Sequence, residues 1–321
     1  MKKFLSMALI TVIIMCLFTG CTQKTNASRF TRKIKIGVCH SDFNSKYGSY
    51  LLDEMRNYSK SLKDVEVVFV DAKKNSNTQL SQVENFISQG VDAIVVSPLS
   101  TDSSKSITDK AKAANIPIIS MMLPFVNQND AASYIAPDSK QAGILEMEYL
   151  AKKVNFKGNV AIMMGPLDDN AQRLRTEAYH EVIAKYPDMK IVAQQTADWD
   201  RSRGMALMQA WLEDGKQIDV VACNNDEMAI GALKAIEAAG KLGKITVGGM
   251  DATPDALEYL KSGKLAVTLF QDAGKLGKYS IDAAIKAAKG ENVEKTIIVQ
   301  NELVTSEDAD KYMAKWENRG Y

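Results

Sequence analysis

The sequence predicts an α/β fold of two lobes, each with a parallel sheet covered by helices. The chain has 321 residues, of which 46% are apolar and 25% charged, a composition typical of globular proteins. At about 150 residues per domain, this length predicts two domains. From Lys33 onward, short apolar runs alternate with amphipathic helical stretches. Strands that are apolar along their whole length are buried on both faces, as in parallel sheets.

Nine segments are predicted as strands because they are nearly continuous apolar runs. They are, in chain order, 34–39, 65–70, 93–97, 116–120, 159–164, 190–196, 219–223, 245–249 and 265–270. The main stretches with helical periodicity between them are 47–63, 79–89, 142–153, 173–185, 205–212, 227–239 and 275–289. Nine strands exceed what one small open sheet needs, so two α/β lobes are the simplest account.

The N-terminus has the features of an export signal. Two lysines precede a 15-residue stretch of weakly polar to apolar residues, Phe4–Phe18, which is shorter than the roughly 20 residues that span a bilayer. The stretch runs into the motif LFTGC (17–21), which resembles the lipobox of bacterial lipoproteins, with Phe18 where leucine is usual. The resemblance implies a signal over residues 1–20, a lipid on Cys21 and a tether over residues 21–32. The alternative is an ordinary cleaved signal with an incidental cysteine.

Export and lipidation together predict a protein held at the outer face of the cytoplasmic membrane. Cys16 lies in the signal and Cys21 at the lipid site, so Cys39 and Cys223 are the cysteines of the folded part. Two widely spaced cysteines do not indicate a disulfide framework. We predict two separate free thiols at strand ends.

Composition and motifs argue against several classes of function. The net charge is +1 without a long run of either sign, whereas nucleic-acid binders usually carry a basic excess. Two histidines, His40 and His180, are too few for a multi-histidine metal centre, and we predict no metal and no cofactor. The sequence lacks GxSxG, P-loop, HExxH, CxxC and GxGxxG motifs, so catalysis finds little support. The aspartates at 168–169 and at 198 and 200 are interpreted as turn residues and helix N-caps.

The residues that follow the predicted strands form a polar and aromatic set. In parallel α/β sheets, ligands bind at the carboxyl ends of the strands, where the loops gather. Carboxylates, amides and guanidinium groups match the vicinal hydroxyls of a sugar or cyclitol, and aromatic rings cover its C–H faces. The set therefore favours recognition of a hydroxylated ring.

Four motifs resemble the type I periplasmic sugar-binding proteins of ABC importers, in that family's order and spacing. They are WDRSRGMALMQAWL (199–212), CNNDEMAIGALKAI (223–236), GGMDATPDAL (248–257) and TLFQDAGKLGK (268–278). NNDEMAIGA, MDATPDAL and FQDA are most similar to the inositol- and rhizopine-type subgroup. The resemblance covers about the whole chain after the tether. It implies two Rossmann-like lobes, 33–137 with 272–296 and 138–271 with 297–321, joined by a hinge that the chain crosses three times.

The resemblance also implies the residues of a ligand site. It assigns stacking to Tyr47, Trp199 and the subgroup aromatic Phe43, sugar-oxygen contacts to Arg175, Asn225 and Asp251, and a hinge contact to Gln271. Four of these residues also have a plainer explanation when they are taken alone. Arg175 is then a surface cation, Trp199 a core residue, and Asn225 and Asp251 are helix N-caps.

Two methionines depart from the family pattern. After the IPIIS strand, the family usually places an acidic or amide residue followed by arginine, whereas this chain has Met121 and Met122. We predict that these two methionines take the place of that pair among the ligand-binding residues. Methionine offers no donor and only a weak acceptor. We expect either compensation by His40, Asp42 or Lys46 from the first loop, or a ligand that is less polar on that side, such as a methylated or deoxy compound.

The resemblance implies a monomeric binding lipoprotein that captures a sugar or cyclitol between its lobes and closes around it. The loaded protein would dock on a membrane permease, and a separate ATPase would use the ATP because this chain has no nucleotide motif. A sensor for a chemoreceptor or histidine kinase would use the same cleft. An exported carbohydrate-modifying enzyme is the remaining alternative. A DNA-binding repressor of the same fold is excluded, since a signal and tether stand where its helix-turn-helix would be.

Overall fold

The computed structural model describes residues 32–317, and the compact unit begins at Ile34. The predicted signal, the lipidation site Cys21 and the tether up to residue 31 lie outside the described residues, as do residues 318–321. Within residues 32–317, no helix has both the length and the apolarity needed to cross a membrane.

The strands of the described part confirm all nine predicted strand segments and add three. They are β1 (Ile34–His40), β2 (Val65–Asp71), β3 (Ala93–Val96), β4 (Ile118–Met121), β5 (Ser133–Pro137), β6 (Gly158–Met164), β7 (Met189–Thr196), β8 (Val220–Cys223), β9 (Thr246–Gly248), β10 (Thr268–Phe270), β11 (Thr296–Val299) and β12 (Glu302–Val304). The additional strands are β5, β11 and β12.

Helices separate most of the strands. They are α1 (Lys46–Ser61), α2 (Ser76–Ser88), α3 (Lys105–Ala113), α4 (Ser139–Lys153), α5 (Asn170–Ile183), α6 (Arg201–Glu213), α7 (Asp226–Ala238), α8 (Pro254–Lys261), α9 (Ala273–Ala288) and α10 (Ala309–Glu317). Short 3₁₀ turns lie at Asp102–Ser104 and Gln128–Asp130. Apolar side chains on the inner helix faces pack against the sheets, as the helical periodicity predicts.

The strands form two parallel sheets, which confirms the predicted α/β fold with two lobes. One sheet has six strands in the order β11-β5-β4-β3-β1-β2, and the other has four in the order β7-β6-β8-β9. β10 pairs antiparallel with β12. Single parallel bridges join Val267, just before β10, to Gly248 of β9, and Phe270 of β10 to Asp251. β3, β4 and β8 are buried at every residue, which explains why their sequences are continuously apolar.

The chain passes between the two sheets three times. The first passage lies between β5 and α4, the second between β10 and α9, and the third between β11 and β12. The predicted boundaries after residues 137 and 271 fall between elements. The predicted boundary after residue 296 falls inside β11, which pairs with β5 along its whole length.

Close packing of α6 on α7 brings the loops before these helices together. A Cβ atom at Gly231 would lie 2.1 Å from the backbone oxygen of Arg201, and one at Gly204 would lie 2.8 Å from that of Met228. Glycine at these two positions therefore allows the helix backbones to approach closely. Trp199 precedes α6 and Asn225 precedes α7, so this contact fixes the distance between two predicted ligand residues.

The two cysteines of the described part are free, as predicted, and both are buried. Cys39 lies near the end of β1 and Cys223 ends β8. Burial raises the pKa of both thiols, which keeps them protonated and weakly reactive at neutral pH.

Candidate functional site

Arg175 is the centre of a buried polar cluster at the carboxyl ends of the strands of the four-stranded sheet. The residue is 3% exposed on α5, so the interpretation as a surface cation is wrong. One terminal nitrogen donates to the backbone oxygen of Asn224 (2.7 Å) and the other to Oε1 of Gln271 (3.1 Å). The guanidinium carbon lies 5.7 Å from the centre of the Trp199 ring. Arg175 Nε finds no acceptor within residues 32–317.

Gln271 connects Arg175 to Asp251. Its amide nitrogen donates to Oδ1 of Asp251, and both residues are buried. Asp251 does not cap the following helix, because Thr253 accepts the hydrogen bond from the Ala256 backbone nitrogen. Burial, reinforced by the nearby Asp226 carboxylate, raises the pKa of Asp251 well above its usual value. Asp251 is therefore a buried carboxyl, and the Gln271 amide links it to the buried Arg175 guanidinium.

Asn225 and Trp199 complete the cluster. Asn225 caps α7 by accepting from the Met228 backbone nitrogen (3.0 Å), and its amide nitrogen donates to the Trp199 backbone oxygen (3.4 Å). The predicted N-cap is thus confirmed. The Trp199 backbone has φ of 62°, and its half-buried ring lies over Gly165, where a Cβ atom would come within 2.2 Å of the ring. A small residue at 165 is therefore needed for this ring position.

The acidic residues near this cluster serve structural roles. Asp169 caps α5 by accepting from two backbone nitrogens, and Asp200 caps α6. Asp198 pairs with Arg203. These contacts confirm the prediction that these aspartates are turn residues and N-caps.

The predicted residues from the six-stranded sheet follow β1 and β4. Phe43 is half-buried, with its ring centre 6.0 Å from that of His40. Tyr47 lies half-buried in the first turn of α1. Met121 is fully buried as the last residue of β4 and belongs to the core, whereas Met122 is half-buried with φ of 70°. The two methionines thus have different environments: Met121 lies in the core and Met122 lies on the loop.

The three residues expected to compensate for the methionines already have contacts within the protein. His40 is buried and its Nδ1 accepts from the Asp42 backbone nitrogen (3.2 Å). Burial lowers the pKa of His40 to about 4, so the ring is neutral at pH 7. Asp42 pairs with Lys74 (3.2 Å), and Lys46 pairs with Asp255 of α8 (3.6 Å).

A second layer of buried polar groups supports the cluster and was not singled out from the sequence. The Tyr179 hydroxyl donates to Glu146 and lies 3.3 Å from the Cys223 backbone oxygen. Asn224 Oδ1 accepts from the Gly165 backbone nitrogen and from Thr176. Burial raises the pKa of Glu146 well above its usual value. These contacts hold the end of β8, which carries Asn225.

Asp226 ties the same region to the loop after β9. Its carboxylate accepts from the Thr253 backbone nitrogen (2.9 Å) and from the Thr268 hydroxyl (2.7 Å). Burial raises the pKa of Asp226 to about 6. The sequence signal for Asp226 was the run of polar residues NND after β8, in which only Asn225 was assigned a role.

Comparison with known proteins places this chain in a family. The sequence profile of the periplasmic binding protein domain matches residues 36–292. The chain belongs to the periplasmic binding protein family. The match extends from β1 into the segment after α9 and includes all the predicted ligand residues. This family consists of solute-binding proteins.

Several relatives of this periplasmic binding protein are named for, or were solved with, a small ligand. A solute-binding protein of an ABC transporter from Bacillus halodurans C-125, solved with bound myo-inositol, is 43% identical with a TM-score of 0.86, covering 90% of this chain and 100% of that one. A candidate rhizopine-binding protein of Rhizobium meliloti is 39% identical over 87% of this chain and 93% of its own. A xylitol-binding protein of Mycolicibacterium smegmatis is 33% identical over 91% of this chain and 82% of its own.

Proposed function

We propose that this protein captures a cyclitol or sugar outside the cytoplasm and delivers it to an ABC importer. The observation that carries the proposal is the buried chain of contacts from Arg175 through Gln271 to Asp251, beside Asn225 and Trp199. A cation, two amides, a carboxylate and an aromatic face at the ends of parallel strands match the surface of a hydroxylated ring. The myo-inositol bound by the Bacillus halodurans relative makes this cyclitol the first candidate.

Each side chain of the cluster has a chemical role in this proposal. The Asp251 carboxylate accepts two ligand hydroxyls, and the Asn225 and Gln271 amides each exchange a hydrogen bond with the ring. Arg175 Nε, which is buried without a protein acceptor in the described residues, donates to a ligand oxygen. Trp199 covers a C–H face. A buried donor without an acceptor costs about 1–3 kcal/mol, and the ligand removes this cost.

The part of the proposed ligand site that lies next to the six-stranded sheet is less polar. Phe43 and Tyr47 contribute aromatic rings and Met122 contributes a thioether, while His40 and Asp42 are occupied by contacts within the protein. The proposed ligand therefore directs its hydroxyls toward the four-stranded sheet and its less polar side toward the other. Met121, buried in the core, is left out of the proposed contact set.

Binding is proposed to close two lobes around the ligand. The lobes are residues 33–137 with 272–299 and residues 138–271 with 300–321, which keeps the whole of β11 in the first lobe. A ligand that contacts both lobes binds the closed state better and shifts the population toward it. The ion pair between Lys46 and Asp255 and the contact between Tyr50 and Trp316 join the lobes outside the ligand site.

The remaining parts of the proposal concern location and partners. The protein acts as a monomer, held at the outer face of the cytoplasmic membrane by a lipid on Cys21. The closed protein docks on a permease, and a separate ATPase drives import. It is proposed to release its ligand unchanged, without catalysis and without a cofactor.

A thermal-shift screen of polyols and sugars tests the proposed ligand class. A ligand at 1,000 times its dissociation constant stabilises the native state by about 4 kcal/mol, so myo-inositol is expected to raise the melting temperature by several degrees. Glycine betaine, which has no hydroxyl, is the negative control. Chromatography of the released ligand tests for turnover, and a chemically altered ligand would favour the exported-enzyme alternative. Stabilisation by no polyol and no sugar would contradict the proposed function.

A further inference from the structure

The C-terminal helix α10 is attached to the loop that carries Asp251. Trp316 of this helix is buried, and its indole nitrogen donates to the Ala252 backbone oxygen at 2.7 Å. The ring also meets Phe270 edge-on, with centres 5.8 Å apart. Phe270 precedes Gln271, so Trp316 contacts the neighbours of two proposed ligand residues.

The loop after β9 has a backbone conformation that its residues disfavour. Asp251 has φ of 122° and Ala252 has φ of 48°, in the region that favours glycine. Such conformations persist only where surrounding contacts hold them. The Ala252 backbone nitrogen donates to the Thr268 hydroxyl (3.1 Å), and its backbone oxygen accepts from Trp316. Trp316 therefore supplies one of the contacts that fix the direction of the Asp251 side chain.

Tyr50 reaches Trp316 from the other lobe. The two ring centres are 4.7 Å apart with an angle of 43° between the ring planes. Tyr50 lies on α1, which packs on α9 beside the six-stranded sheet, whereas Trp316 lies on α10, which packs on α8. Trp316 is thus contacted by one lobe through Tyr50 and by the other through Ala252.

We propose that Trp316 is a positioning residue that holds the Asp251–Ala252 loop in its ligand-binding conformation, and that Tyr50 completes this support when the lobes meet. The inference rests on the proposed function, because it assigns Asp251 to the ligand. Ligand affinity then depends on an indole hydrogen bond in a helix that is more than 50 residues away in sequence from Asp251.

The test compares two tryptophan variants of the full chain with myo-inositol as the probe. Trp316→Phe keeps an aromatic ring but removes the N–H donor, and we expect the dissociation constant to rise about tenfold, the scale of one lost hydrogen bond. Trp211→Phe is the matched control, because Trp211 is equally buried in the core but is not part of this support. It is expected to lower the melting temperature without changing the dissociation constant.

A second variant keeps the proposal testable if Trp316→Phe folds poorly. Tyr50→Leu is expected to raise the dissociation rate several-fold while leaving the melting temperature of the unliganded protein nearly unchanged. If the wild type binds no polyol or sugar, the proposed function fails. If the wild type binds myo-inositol and both Trp316→Phe and Tyr50→Leu bind it within twofold of the wild type, the positioning role is overturned.

Discussion

Arg175→Met is expected to weaken myo-inositol binding by about 30-fold or more. The guanidinium is buried and donates to the Asn224 backbone oxygen and to Gln271, so its removal leaves two acceptors without their donors and deprives the ligand of a cation. Truncating one member of a buried charged hydrogen-bond set costs about 2–5 kcal/mol, and each 1.4 kcal/mol is a factor of about ten in affinity. Calorimetric titration measures the change directly.

Arg173→Met is the matched control for this substitution. Arg173 lies two residues earlier on the same helix, is exposed, and pairs with Glu177 at 2.8 Å. An exposed ion pair within a helix contributes only about 0.3–0.5 kcal/mol to stability, so this variant is expected to bind like the wild type. Equal affinity of the Arg175 and Arg173 variants would contradict the assignment of Arg175 to the ligand site.

Asp251→Asn is expected to abolish most ligand binding while stabilising the unliganded protein at high pH. Asparagine keeps the oxygen that accepts from Gln271, but it has only one acceptor atom where the proposal requires two. We expect a loss of affinity of about 100-fold, within the range for groups that bind through charged hydrogen bonds. Titration with myo-inositol and denaturant unfolding of the unliganded protein measure the two effects.

The stabilisation by Asp251→Asn has a defined pH dependence. Because burial raises the pKa of Asp251, the folded protein binds more protons than the unfolded chain between the ordinary carboxyl pKa and the raised one. The free energy of unfolding of the wild type therefore falls as the pH rises through this interval. The asparagine variant lacks this contribution, so its advantage over the wild type is expected at pH 8 and is absent at pH 3.

Asp255→Asn is the control, because we expect it to change the free energy of unfolding in the opposite direction. Asp255 lies four residues later, and its hydrogen bond with Arg201 lowers its pKa. A lowered pKa contributes stability above the ordinary carboxyl pKa, and this contribution is lost as the pH falls. Asp255→Asn is therefore expected to reduce the free energy of unfolding at pH 8. If the free energy of unfolding at pH 8 increased in both variants, or in neither, the environments assigned to these two carboxyls would be contradicted.

Several of the predicted strands are apolar along their whole length because all of their residues are buried. β3 and β8 are buried at every position, so their apolar runs are unambiguous. β5 contains serine and proline, and β11 lies at the edge of its sheet with half of its residues exposed. Neither pattern differs enough from a loop to identify a strand. The lobe boundary after residue 296, which the resemblance implied, falls inside β11.

The length of β4 decides whether Met121 lies in the core or on the following loop. The sequence indicated a strand ending at residue 120, whereas β4 continues through Met121. Successive side chains of a strand point to opposite faces, so this extension places Met121 in the core and leaves Met122 as the first loop residue. Strand boundaries depend on hydrogen bonding with neighbouring strands, which composition does not specify.

The sequence predicted members of the candidate site but not the contacts between them. Topology indicated the strand-end residues Asn225, Asp251 and Gln271, whereas Arg175, which lies on a helix, was indicated only by the resemblance. The N-cap role of Asn225 could be predicted from its position before a helical stretch. The link from Arg175 through Gln271 to Asp251 depends on tertiary contacts over 96 and 20 residues of sequence. Glu146 and Trp316 lie on helices with exposed polar residues, and no local pattern distinguishes their buried roles.

Calorimetric titration of the purified protein with myo-inositol is the direct test of a binding site for hydroxylated rings at the Arg175 cluster. We expect saturable binding of one ligand per chain, with affinity lost in Arg175→Met and retained in Arg173→Met. Binding of a different polyol or sugar with the same dependence on Arg175 would keep the site and change its ligand. Absence of binding to every polyol and sugar tested, by a protein that unfolds cooperatively, would contradict the claim that this cluster is a site for hydroxylated rings.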